Sequence, residues 1–216
     1  MKKQLLTGIA LTALIVGMVW AYKLLNKDQL FTVMKVPEFE LVNQNHKKIT
    51  PADMLGKVYI VEFFFTNCPT ICPIMNQNLK EIEREINHPD FGVISITIDP
   101  KRDTPENLKA HAVKLGIRNP NWHFLTGGRD TIYQLSKKFN IYVGEDENSA
   151  EGLNHSGKFA LVDKEGNIRS RFGENGLPLL YYSGLNYSDP KGKKESLGGT
   201  YHPQVEWLIE DIRELL

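Results

Sequence analysis

The run Val58-Tyr59-Ile60-Val61-Glu62-Phe63-Phe64-Phe65-Thr66-Asn67-Cys68-Pro69-Thr70-Ile71-Cys72-Pro73 decides how the chain reads. Val58 to Phe65 is almost continuously apolar, the pattern of a central strand covered on both faces. It drives straight into the only two cysteines of the chain. Beyond them Met75, Leu79, Ile82 and Ile86 recur at helical spacing, which marks an amphipathic helix. A reactive pair between a buried strand and a helix is a common way to build a site.

Outward from this run, the same alternation continues. Val93 to Ile98 is the next buried strand. Asp99-Pro100-Lys101-Arg102-Asp103-Thr104-Pro105-Glu106 then opens a helix, with Asp103 or Thr104 as its cap and Pro105 in its first turn. That helix turns Leu108, Ala112 and Leu115 inward and stops at Gly116. Trp122 to Thr126 is a short strand, Gly127-Gly128 breaks it, and a helix is expected over about 129–139. Phe159–Asp163 and Asn167–Phe172 form a hairpin around Lys164-Glu165-Gly166. The last helix starts near Pro203 and lines Val205, Leu208, Ile209, Ile212 and Leu216 along one face. Upstream, Val36 to Val42 alternates like an edge strand, Asn43 to His46 turns, and Lys48 to Thr50 returns. Residues 26–35 read as a tether. Residues 173–201, rich in Gly, Pro, Ser, Lys and Tyr, read as a surface insertion. The expected fold is α/β and thioredoxin-like, a central mixed β-sheet flanked by helices.

Composition narrows the function. Lysines plus arginines number 26 and acidic residues 26, so there is no electrostatic case for nucleic acid. Two cysteines are too few for a disulfide framework. At the N-terminus, Met1-Lys2-Lys3 precedes an apolar run from Leu5 to Tyr22, long enough to cross a bilayer. A cleaved signal peptide fits less well, because bulky Trp20 and Tyr22 flank the small residues a peptidase needs. No cysteine lies near the run to carry a lipid. Residues 1–27 are therefore expected to be a single-pass anchor with a short cytoplasmic tail. Residues 28–216 would lie on the outer, periplasmic face of a bacterial cytoplasmic membrane.

In Cys68-Pro69-Thr70-Ile71-Cys72 three residues separate the thiols, one more than in the thioredoxin redox motif. At a helix start this spacing puts both sulfurs on one side, where backbone N–H groups and the helix dipole favour thiolate. Thiolate is both a nucleophile and a soft-metal ligand. Two sulfurs rarely complete a metal site, so a histidine is the natural third ligand. Of the six, His46 lies in a turn, His88 follows a helix, His202 precedes one, His111 is within a helix, and His123 sits beside Trp122 in a strand. A lone loop histidine usually does nothing. His155 differs because its Gly-flanked loop, Gly152 to Gly157, precedes the Phe159 strand, which in a thioredoxin-like fold places it beside the cysteine turn. Two thiolates and an imidazole suit copper, the sulfurs for Cu(I) and the nitrogen for Cu(II). Zinc could use the same three ligands plus water.

These residues together resemble the Sco/SenC family, copper-handling proteins of cytochrome c oxidase assembly. The resemblance covers roughly residues 36–172 and part of the last helix. It rests on Phe63 to Pro73, on Asp99 to Glu106, on Leu125-Thr126-Gly127 and on Asn154-His155-Ser156. It implies a membrane-anchored metallochaperone that binds one copper through Cys68, Cys72 and His155. It also implies a partner, the copper-binding subunit of cytochrome c oxidase, with other copper chaperones or thiol reductants serving the same site. The family often carries Asp immediately before the ligand histidine, where this chain has Asn154.

Two other functions use the same residues. A thiol–disulfide oxidoreductase would employ Cys68 as the attacking and Cys72 as the resolving thiol. A peroxiredoxin-type peroxidase shares the scaffold but explains neither the second cysteine nor His155. Asp99, Arg102 and Asp103 read first as a cap or internal ion pair. Their functional alternative is an acidic rim that tunes the metal or docks a partner.

Overall fold

The structure is a computed structural model that describes residues 12, 14–18, 30–145, 152–173, 176–185 and 204–216. Its strands are β1 Phe31–Lys35, β2 Leu41–Asn43, β3 Lys48–Ile49, β4 Val58–Phe64, β5 Phe91–Thr97 and β6 Trp122–Thr126. They continue with β7 Val143–Glu145, β8 Leu153–His155, β9 Lys158–Val162, β10 Asn167–Ser170 and β11 Tyr182–Ser183. The α-helices are α1 Ile71–Ile86, α2 Pro105–Leu115, α3 Arg129–Lys138 and α4 Gln204–Leu215.

Among the described residues nine strands form one mixed sheet in the order β1-β10-β9-β4-β5-β6-β2-β3, with β11 also on β9. Every residue of β4 and β5 is buried, as continuous apolar runs require. β4 pairs parallel with β5 and antiparallel with β9, so it is the central strand. Its alternation sorts the layers. Phe63 meets Phe139 at the end of α3, with ring centroids 5.8 Å apart. Phe64 meets His111 of α2 at 5.7 Å. Helix α1 shares a groove with α2 and packs against α4, so these three cover the Phe64 face while α3 covers the other.

Local chemistry sets the element ends. Thr104 caps α2, its side chain accepting from the Asn107 N–H at 3.4 Å, and Pro105 occupies the first turn. Asn87 ends α1 in the left-handed region, at φ 39°.

Four expectations change. The tether over 26–35 contains β1, whose Phe31 to Lys35 pair with β10 on the sheet edge. The edge strand expected at Val36 to Val42 is reduced to β2, and it pairs inward with β6. His155 is not in a plain loop; it ends β8, paired with β7. The described part of the surface insertion, 176–185, is packed: Tyr182 pairs with Phe159 and is fully buried. Most of the apolar segment read as an anchor lies outside the described residues. Residues 12 and 14–18 are helical, and among the described residues no helix is long and apolar enough to cross a membrane.

Candidate metal centre

Helix α1 begins at Ile71, so Cys68 lies in the turn between β4 and α1 and Cys72 is the second helical residue. The Cys68 N–H donates to the Phe65 carbonyl at 3.3 Å, which closes that turn. No side chain of Thr70 caps the helix. Instead the Cys72 N–H donates to Cys68 Sγ at 3.4 Å. A sulfur in the capping position accepts an otherwise orphaned N–H and sits at the positive end of the helix dipole.

The turn itself is held from the neighbouring loop. Asp103 is buried and accepts from the Thr66 N–H at 3.1 Å, from the Thr66 hydroxyl and from the Thr97 hydroxyl. Asp99 pairs with Arg102, and its N–H donates to Thr97 Oγ1 at 3.0 Å. The Asp-Pro stretch is therefore internal architecture: Thr104 takes the cap, and Asp103 braces the cysteine turn. An acidic rim is not what Asp103 forms.

His155 arrives from the far side of the sequence. Tyr142 accepts from the Ser156 N–H at 3.1 Å, and Val143 pairs with His155. Its ring and that of Phe65 meet edge to face, centroids 6.1 Å apart at 78°. His155 Nε2 lies 3.1 Å from Cys72 Sγ. The ligand atoms of Cys68, Cys72 and His155 all lie within 4.8 Å of one another, and all three residues are buried. Among the described residues this is the one cluster of three or more such groups that can hold a metal ion.

Both thiols are free. Hydrogen bonding from the Cys72 thiol pulls the Cys68 thiol far below its usual range, with smaller help from His155 and from backbone N–H groups against burial. The same hydrogen bond, with burial, pushes the Cys72 thiol up. The surroundings thus favour thiolate at Cys68 over Cys72. Cys68 is also the more exposed, 9% against 3%. The pair opens onto a groove of about 810 Å³ between α1 and α2.

The other histidines are placed apart. His46 pairs with Glu106, His123 Nδ1 meets Asn43, His88 accepts from the Asp90 N–H, and His111 packs between Phe64 and Phe124. His202 lies outside the described residues. Asn154 is exposed, whereas its strand neighbour His155 is buried.

Sequence reasoning missed Phe65 as a wall of the site and Thr66 with Asp103 as its brace. Only the hydroxyl-then-turn order of Thr66-Asn67 hinted at the second.

The chain is similar to known proteins over most of its length. The SCO1/SenC family profile matches residues 27–181. The "SCO1 protein homolog" of Bacillus subtilis is 31% identical over 155 residues, 70% of this chain and 79% of that one. The crystal structure of a SCO1/SenC family lipoprotein from Bacillus anthracis superposes with a TM-score of 0.68 at 29% identity, over 87% of this chain and 97% of that one. Copper-bound ScoI from Bradyrhizobium japonicum shares the fold at 20% identity, with a TM-score of 0.60 over 84% of this chain and 99% of that one. With the profile spanning well over half its length, the chain belongs to the SCO1/SenC family.

Proposed function

We propose that this protein is a copper metallochaperone whose cargo is held by Cys68, Cys72 and His155. The observation that carries the reading is the convergence of two thiols and one imidazole, all buried and mutually within 4.8 Å, from elements 83 residues apart. Nothing in the packing of a fold demands such a cluster. Thiolates select soft Cu(I), and the imidazole adds a ligand suited to Cu(II), which favours copper over zinc. Copper bound to the fold neighbour ScoI of Bradyrhizobium japonicum supports the same assignment.

The chain is further proposed to be anchored in a bacterial cytoplasmic membrane by residues 1–27, with its folded domain on the periplasmic side. There it serves the copper-binding subunit of cytochrome c oxidase. The length of the N-terminal apolar run supports the anchor, and Lys2 and Lys3 ahead of it favour an N-terminus on the inside, against Lys23 and Lys27 on the other flank.

Metal analysis of the reduced protein tests the site. It should bind one copper and show a thiolate-to-metal absorption band. His155→Ala should lose Cu(II) far more than Cu(I). Unchanged copper affinity in that variant would rule out the three-ligand site.

A second reading is favoured by the free, unequal thiols. The Cys68 thiolate attacks one sulfur of a partner disulfide and releases one partner thiolate. Cys72 then loses its proton, attacks Cys68 Sγ, and releases the second. The chain ends as a Cys68–Cys72 disulfide, oxidised by two electrons, and the partner is left reduced. A strain lacking the gene separates the two functions: added copper restores oxidase activity if delivery is the role, and fails to if reduction is.

A further inference from the structure

Cys68 and Cys72 lie four residues apart, and the Cys72 N–H donating to Cys68 Sγ sets their spacing locally. His155 comes from the separate two-stranded β7–β8 sheet, so something outside its own strand has to fix its distance to α1. Gly184 touches both sides. Its N–H donates to the Gly157 carbonyl at 2.8 Å, two residues beyond His155. Its carbonyl accepts from Asn78 Nδ2 at 2.7 Å, and Asn78 is fully buried on α1, the helix of Cys72.

The approach is close enough to restrict the residues. A Cβ at position 184 would stand 2.8 Å from the Phe159 ring, so only glycine passes. Gly157 has φ +62°, and a Cβ there would meet the Leu185 side chain at 3.1 Å. Gly184 lies just past the matched residues 27–181, within the stretch that reads from sequence as an insertion.

We propose that Asn78, Gly184 and Gly157 form a buried clamp that sets the separation of the His155 imidazole from the thiol pair. Asn78 and Gly184 are then positioning residues for the imidazole arm of the site. The inference rests on the copper reading. Loosening the clamp leaves the two thiolates, which suffice for Cu(I), and displaces the nitrogen that Cu(II) needs.

The test compares Cu(I) and Cu(II) affinities of the reduced full chain by chelator competition, together with the thiolate-to-copper band. Groups bonded directly to a metal ligand typically contribute ten- to a hundredfold, and Asn78 acts through two intervening hydrogen bonds, so Asn78→Ala should lower Cu(II) affinity by up to about tenfold, shift the band, and leave Cu(I) affinity nearly unchanged. Tyr182→Phe removes a buried bond to Asp211 from the same segment without touching the clamp. It should lower thermal stability and leave both affinities alone. Leu185→Ala, at an exposed position whose side chain covers Gly157, loosens the same contact more mildly and should show the same split in smaller size. Equal loss of both affinities in Asn78→Ala, no loss, no split in Leu185→Ala, or the same split in Tyr182→Phe overturns the clamp. Wild-type protein that takes no copper, or His155→Ala with unchanged Cu(II) affinity, overturns the copper reading instead.

Discussion

Glu62 is the residue at which a buried carboxyl makes stability depend on pH. It sits in the fully buried β4, where every neighbour in the strand is apolar. Its Oε1 accepts from Ser95 Oγ at 2.7 Å, and Ser95 Oγ in turn accepts from Trp122 Nε1 at 3.1 Å. Its Oε2 has no partner. Burial raises its pKa to about 7, only partly offset by Ser95. A raised carboxyl binds its proton more tightly folded than unfolded. Its contribution to stability is therefore complete below the unfolded value of 4.5 and is lost as pH rises through about 7. Glu62→Gln keeps the Ser95 bond and cannot ionise. At pH 8 the variant should be more stable than wild type by on the order of 3 kcal/mol, with the gain vanishing toward pH 4. Denaturant unfolding at both pH values measures this. A gap that does not change with pH would mean that Glu62 ionises as readily folded as unfolded.

At the scale of elements, the site depends on how two connections are tied. The turn from β4 into α1 is braced by Asp103, which lies just ahead of α2 and reaches back to Thr66 and Thr97. Asp103→Ala would strand the Thr66 N–H and both hydroxyls. Hydrogen bonds to a charged acceptor contribute about 1.5–3 kcal/mol each but are not additive, so a loss of roughly 3 kcal/mol is expected. Amide exchange should speed up selectively at residues 66–68. A loss below about 1 kcal/mol with exchange unaltered would mean that the turn holds itself. The sequence made the strands and helices around this turn readable, because apolar runs and 3.6-residue spacing report burial directly. It made Cys68, Cys72 and His155 readable because thiols are rare and the fold class brings the His155 segment near. It hid Asp103 behind an equally good capping role, which Thr104 fills. It hid β7 and β8 because three-residue strands carry no period. It hid the packing of 176–185 because Tyr181 and Tyr182 stand among residues of loop composition, and their burial comes from long-range partners, Phe139 and Asp211.

At the scale of the whole molecule, the thiol–imidazole cluster joins parts of the chain that fold far apart in sequence. Cys68 and Cys72 flank the start of α1, and His155 closes β8 ahead of β9, the strand that carries β10, β11 and β4 on its edges. Beneath β11, Asp211 of α4 is fully buried between Arg171, at 2.6 Å, and the Tyr182 hydroxyl, so the last helix is locked to the same sheet edge. An ion seated on all three ligands binds only when this whole arrangement is present, and the unfolded chain offers the cysteines without the histidine in reach. Ligand binding of that kind stabilises the native state by mass action, about 2.7 kcal/mol at a hundredfold excess over Kd. A domain of this size shifts its Tm by about 2–4 °C per kcal/mol, so copper should raise the melting temperature of the reduced protein by roughly 5–10 °C. In Cys68→Ala/Cys72→Ala the rise should disappear. In His155→Ala it should persist with Cu(I), which needs only the thiolates of one turn, and collapse with Cu(II), which needs both ends of the fold. Scanning calorimetry of the three proteins under each oxidation state decides it. An equal rise with Cu(II) in wild type and His155→Ala would mean that the metal stabilises the cysteine turn alone and leaves the two halves of the domain uncoupled.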